Sequence, residues 1–114
     1  MLTFKAGSAS STVQGLALTG ATNNGIELEA ASGSNTIIGN YLGLDPDGST
    51  DAGNGAAGIE VNSSSNVIGG VTAAARNVIS GNGGSPGTSE DGIFLLARGP
   101  SSPKPLCDSL HVKR

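Results

Sequence analysis

With 114 residues, nineteen glycines and only Phe4, Tyr41 and Phe94 as aromatics, the chain has room for one domain but little with which to fill an ordinary globular core. Residues 1–97 carry Glu27, Glu29, Asp45, Asp47, Asp51, Glu60, Glu90 and Asp91 against Lys5 and Arg76, whereas the last stretch sets Arg98, Lys104, Lys113 and Arg114 against Asp108. An acidic body with scarce aromatics lacks the basic stripe and stacking platforms that nucleic-acid binding needs, so DNA and RNA are poor partners.

No run is long enough to cross a membrane, and no basic start followed by an apolar stretch marks a signal peptide. The one cysteine, Cys107, makes no internal disulfide and leaves the compartment unread. Glycine with much Ser, Thr and Asn also suits a linker. Order is favoured because Ile, Leu and Val keep register with the glycines, which a linker has no reason to do.

Repeat-like sequence begins at VQGLAL (13–18). GIELE (25–29) alternates apolar and acidic residues, so a strand here sends Ile26 and Leu28 to one face and Glu27 and Glu29 to the other. NTIIGN (35–40) supplies a second strand with Ile37 inward, and YLGL (41–44) a third. The pattern returns as GIEVN (58–62) with Ile59 and Val61 inward, then NVIGG (66–70) with Ile68 inward, then NVIS (77–80), and again as GIFLL (92–96). No stretch sustains the three-and-four spacing of a helix; VTAAAR (71–76) is a brief helical turn or a plain loop.

Gly-Ile thus recurs about every 33 residues. The expected fold of residues 1–97 is all-β, a solenoid of three-stranded coils in which Ile26, Ile59 and Ile93 form one inward ladder and Leu28, Val61 and Leu95 a second. Asn35, Asn66 and Asn77 are read as structural turn residues, because asparagine tolerates left-handed backbone and can bond a backbone group in the turn or its own copy in the next coil.

The run from Asn35 to Asn82, NTIIGNYLGLDPDGSTDAGNGAAGIEVNSSSNVIGGVTAAARNVISGN, resembles the repeats of large bacterial secreted or surface proteins built as right-handed parallel β-helices, often described as pectate-lyase-like. Over about residues 13–96 the resemblance implies that fold, an extracellular or cell-surface location, and a slice of a longer array. It implies no single activity, since lyases, hydrolases, epimerases, adhesins and passive stalks share the scaffold.

Polygalacturonase-like chemistry would require clustered aspartates with a histidine and a basic pair, yet residues 1–97 hold no histidine. Glu27 and Glu60 occupy matched outward positions, the arrangement from which an acid/base pair or cation site is made, although solvated surface glutamates have the same pattern. Asp45, Asp47 and Asp51 around Gly48 offer hard oxygen ligands for calcium, set against ordinary Asp-Gly turn chemistry. Arg76 is a candidate for pairing with a nearby carboxylate, and residues 81–91 read as a surface loop.

The tail 98–114 contains Pro100, Pro103 and Pro105 and cannot continue a sheet interior. Its Cys107 and His111 are too few for zinc. The expected function is a structural or adhesive β-helix segment with no catalysis of its own, the alternative being a fragment of a polysaccharide lyase, hydrolase or epimerase. Expected partners are further coils of a parent chain, another copy stacked end to end, or a polysaccharide.

Overall fold

The computed structural model describes residues 1–85, 87 and 91–96. Ten short strands run through them: β1 (Leu2–Phe4), β2 (Thr12–Gln14), β3 (Ala17–Leu18), β4 (Ile26–Leu28), β5 (Thr36–Ile38), β6 (Tyr41–Leu42), β7 (Ile59–Val61), β8 (Val67–Ile68), β9 (Val78–Ile79) and β10 (Ile93–Leu95). They assemble into three sheets, β1-β4-β7-β10, β2-β5-β8 and β3-β6-β9. Every pairing within a sheet is parallel. Each of the first three coils contributes one strand to each sheet and β10 begins a fourth, and the result is a three-sided parallel β-helix.

Register follows from the period-two alternation, because a one-residue slip would turn each inward aliphatic to solvent. Ile26 pairs with Ile59 and Ile59 with Ile93, Leu28 with Val61 and Val61 with Leu95. Val13, Ile37 and Ile68 form a third inward column and Leu18, Leu42 and Ile79 a fourth. Ile26, Leu28, Ile37, Leu42, Ile59, Val61 and Ile68 are completely buried. At about 1.5–3 kcal/mol for each large aliphatic side chain removed from water, these columns are the main stabilising term. Leu95 keeps its register but remains 43% exposed.

Two features differ from the reading of the sequence. Within the expected 1–97 segment the first repeat-like phrase, VQGLAL, is not the first strand, since β1 precedes it with Leu2 paired to Ile26 and Phe4 to Leu28. That first coil is only 24 residues long, against 33 for the next, because the longer coil carries the 45–54 loop as an extra. The asparagines also sort differently: Asn35 and Asn66 stack at the corner between the β2 and β1 sheets, whereas Asn77 stacks on Asn40 at the next corner. None of them has left-handed backbone. At the first corner that conformation belongs to the residue before Ser11, Asn35 and Asn66, namely Ser10, Ser34 and Ser65, at φ of 56°, 64° and 64°, whereas Arg76 before Asn77 is extended at φ of −71°.

The recurrent glycine before each Ile-Glu has a steric cause. A Cβ at Gly25 would lie 2.7 Å from the Gly58 carbonyl oxygen, and one at Gly58 would lie 2.7 Å from that of Gly92. VTAAAR forms a single 3-10 turn over Ala73–Ala75, whose N-cap Thr72 accepts the Ala75 N–H.

Candidate functional site

Asparagine does the joining at all three corners. At the first, Asn35 Oδ1 accepts the Ser11 N–H (3.0 Å) and Asn66 Oδ1 the Asn35 N–H (2.9 Å). At the second, Asn40 Oδ1 accepts the Leu16 N–H (3.0 Å) and Asn77 Oδ1 the Asn40 N–H (3.0 Å). At the third, Asn54 Oδ1 accepts the Ala21 N–H (3.0 Å) and Asn82 Oδ1 the Asn54 N–H (3.2 Å).

The same amides donate back from Nδ2 to carbonyl oxygens of the earlier coil: Asn40 to Val13, Asn54 to Leu18, Asn77 to Ile37 and Asn82 to Leu42. Each of these four is therefore a two-point clamp of one coil on the coil before it, whereas Asn66 donates within its own coil, to Ser63. Buried polar groups are tolerated because they are paired, and among the described residues no buried side-chain nitrogen or oxygen lacks a partner.

The outer face of the β1-β4-β7-β10 sheet carries Thr3, Glu27, Glu60 and Phe94 in one column. Glu27 and Glu60 are thus neighbours, as the spacing of the repeats requires. The Glu60 carboxylate is held at both oxygens: Asn24 Nδ2 donates to Oε2 (2.6 Å) and Asn62 Nδ2 to Oε1 (2.8 Å). Asn24 also accepts the Ala57 N–H through Oδ1 (3.1 Å), so Glu60 fastens a buried loop amide to the sheet.

Beside this column Lys5 forms an ion pair with Glu29. The Glu29 hydrogen bond first, then its charge, hold the Lys5 ammonium pKa above 10.5, with Glu27 adding a smaller attraction. Arg76 has no ion-pair partner among the described residues, where Lys5–Glu29 is the single pair.

The loop from Asp45 is a hairpin-like excursion closed by an antiparallel bridge between Leu44 and Asp51. The Gly48 N–H donates to the Asp45 carbonyl (2.8 Å), and the Asp45 N–H to that of Thr50 (3.0 Å). Asp47 Oδ1 accepts the Ser49 and Thr50 N–H groups, both at 2.8 Å, and its other oxygen takes the Thr50 hydroxyl. The carboxylate is used in folding the turn.

Asp51 lies against the next coil, where a Cβ at Gly81 would come within 2.1 Å of its Oδ1. Among the described residues no three His, Cys, Asp or Glu side chains gather as a cation site. Asp45, Asp47 and Asp51 share a loop without converging.

The Thr50 hydroxyl, then the Thr50 and Ser49 N–H groups, hold the Asp47 pKa down at about 2, from 3.8. A depressed folded-state pKa gives stabilisation that is present above the ordinary carboxylate range and lost as pH falls through the folded value. The Thr50 amide resonance is therefore expected to stay constant down to about pH 4 and to move upfield as Asp47 protonates at lower pH. In Asp47→Asn the resonance should show no such transition; an unchanged transition would assign the titration to another group.

A shallow cleft of about 430 Å³ lies at the third corner, lined by small residues with Thr22, Asp51, Asn54 and Ser85. It brings neither an aromatic ring nor a cation to bear on a ligand. Glu90, the tail 98–114 and its Cys107 and His111 lie outside the described residues. No helix among the described residues is long and apolar enough to cross a membrane. No protein-family model, curated protein or solved structure matches this chain.

Proposed function

We propose that the chain is a structural or adhesive β-helix segment of the pectate-lyase-like repeat type, belonging to a secreted or cell-surface protein and acting by supplying length and an acidic face. The observation that carries this reading is the use to which the repeated residues are put. The aliphatic columns fill the interior, and six asparagines clamp successive coils. Glu60, half of the carboxylate pair best placed for acid/base work, is engaged at both oxygens by amides. A general acid or base instead needs an oxygen within reach of substrate.

The test is incubation of the protein with pectin, alginate and related polyanions, with and without calcium. The expected result is retention or no effect, without chain cleavage. Calcium-dependent unsaturated products that vanish in Glu27→Gln, Glu60→Gln would replace this reading with that of a lyase fragment.

A further inference from the structure

An asparagine followed by glycine is chemically prone to lose its side-chain amide. Glycine has no Cβ to shield its nitrogen or hinder ring closure, and its attack on the Asn Cγ is intramolecular, so proximity favours it. The chain contains three such pairs, Asn24-Gly25, Asn54-Gly55 and Asn82-Gly83, and the fold places them unevenly. At the first corner Asn35 and Asn66 are followed by Thr36 and Val67, and at the second Asn40 and Asn77 by Tyr41 and Val78. Both clamps of the third corner, Asn54 and Asn82, are followed by glycine.

In each pair the fold occupies the attacking nitrogen. The Gly25 N–H donates to the Ala57 carbonyl (3.0 Å), that of Gly55 to Ala21 (2.7 Å) and that of Gly83 to Asn54 (2.9 Å). Reaction therefore waits on local opening, whose free energy varies from place to place in a structure. Asn24 and Asn54 are 2% and 1% exposed. Asn54 is held from both flanks, by Leu18 and Ala21 of the first coil and by Asn82 of the third. Asn82 is half-buried. The cleft at this corner is lined by Gly53, Asn54 and Gly55 on one coil and by Gly81 and Gly84 on the next, so water reaches the segments that carry both pairs.

We infer that the third corner is a site of spontaneous modification, at which Asn82 and then Asn54 become acids and release the clamps. The Gly83 nitrogen attacks Asn82 Cγ. The N–Cγ bond forms, the Cγ–Nδ2 bond breaks, and the side-chain nitrogen leaves as ammonia with the proton that Gly83 gives up. Water then opens the cyclic imide at either carbonyl, giving aspartate or its β-linked isomer, and nothing is oxidised or reduced.

An acid at position 82 still accepts the Asn54 N–H, but its carboxylate has no hydrogen to give the Leu42 and Ser80 carbonyls. It also adds a negative charge to the corner that holds Asp51. With the third-coil flank loosened, Asn54 opens next. Asn24 stands apart from these events, held by Glu60 and Ala57. The change is irreversible and weakens one corner of the solenoid while leaving the amides of the other two in place.

The full-length protein is incubated at neutral pH, folded and in urea, and the amide-to-acid mass change at each asparagine is followed by peptide mass spectrometry. Expected in urea are comparable rates at Asn24, Asn54 and Asn82, each at least tenfold above those at Asn35, Asn40, Asn66 and Asn77. Expected in the folded protein is a rate at Asn82 at least tenfold above that at Asn24, with Asn54 converting in molecules already converted at Asn82. Equal folded-state rates at Asn24 and Asn82, or an unreacted Asn82 while the urea sample converts, overturn the proposal. So does conversion of Asn54 in molecules that retain the Asn82 amide.

Discussion

Asn40→Ala is expected to lower unfolding free energy by about 2–4 kcal/mol, a large fraction of the roughly 5–15 kcal/mol that holds a domain of this size. The side chain is 1% exposed and makes three bonds that alanine cannot replace: it accepts the Leu16 N–H, donates to the Val13 carbonyl and donates to Asn77 Oδ1 at 3.1 Å. Leaving buried partners unpaired costs about 1–3 kcal/mol each when water cannot reach them. The upper end is moderated here because the Leu16 end of the clamp lies nearer to solvent.

Asn40→Asp separates the loss of hydrogen bonds from the loss of volume. A carboxylate keeps the acceptor for Leu16 but faces the Val13 carbonyl and Asn77 Oδ1, both acceptors, so the neutral acid is favoured and the folded-state pKa of the introduced group is raised. A raised carboxyl pKa means that the penalty is absent below the unfolded value of about 3.9 and grows as pH rises above it. Urea melts should therefore place Asn40→Asp near or above Asn40→Ala at pH 3.5 and below it at pH 7. A gap between the two variants that does not change with pH would show that the amide donors are not what holds this corner.

The legible part of this fold was the inward residue set. GIELE, GIEVN and GIFLL declare their pairing through alternation alone, and Ile26, Ile59 and Ile93 stack as read. What alternation could not disclose was loop length, and the missed elements all trace to it. Strand β1 has neither the Gly-Ile mark nor the 33-residue spacing, because the 24-residue first coil lacks the 45–54 excursion.

The phrase Asn-x-Ile looks the same at Asn35, Asn66 and Asn77. Yet the second corner is crossed by Gly39 and Asn40 in one coil and by a loop with a 3-10 turn in the next, which moves Asn77 to a different stack.

At the candidate site, the Glu27–Glu60 pairing was legible because both residues lie within strands. The amides that hold Glu60 were not, since Asn24 reaches it from a loop 36 residues away in the chain. The Lys5–Glu29 pair was hidden for the reason that β1 was: its register is invisible until the short first coil is known.

Gly43→Ala is expected to be more damaging than the asparagine changes, by about 3–5 kcal/mol, and Gly7→Ala supplies the control that identifies why. Both glycines are left-handed, at φ of +88° and +90°, so each substitution carries the roughly 1–2 kcal/mol cost of placing an L side chain there. That cost is partly offset, by about 0.4–1 kcal/mol, because alanine loses less freedom on folding than glycine.

The difference lies in the surroundings. A Cβ at Gly7 meets nothing within 4 Å, whereas one at Gly43 would lie 2.1 Å from the Ser80 carbonyl oxygen and 2.6 Å from Asn82 Oδ1. Neither neighbour can rotate away, since the first is backbone of the next coil and the second clamps the third corner. Relief requires the coils to separate there, and overpacking of a fixed neighbour costs about 1–3 kcal/mol or more. Thermal melts of the two variants should therefore differ by many degrees, with Gly7→Ala close to the parent protein. If they melted together, backbone conformation alone would account for both, and the close stacking of coils at the third corner would not be what demands glycine at position 43.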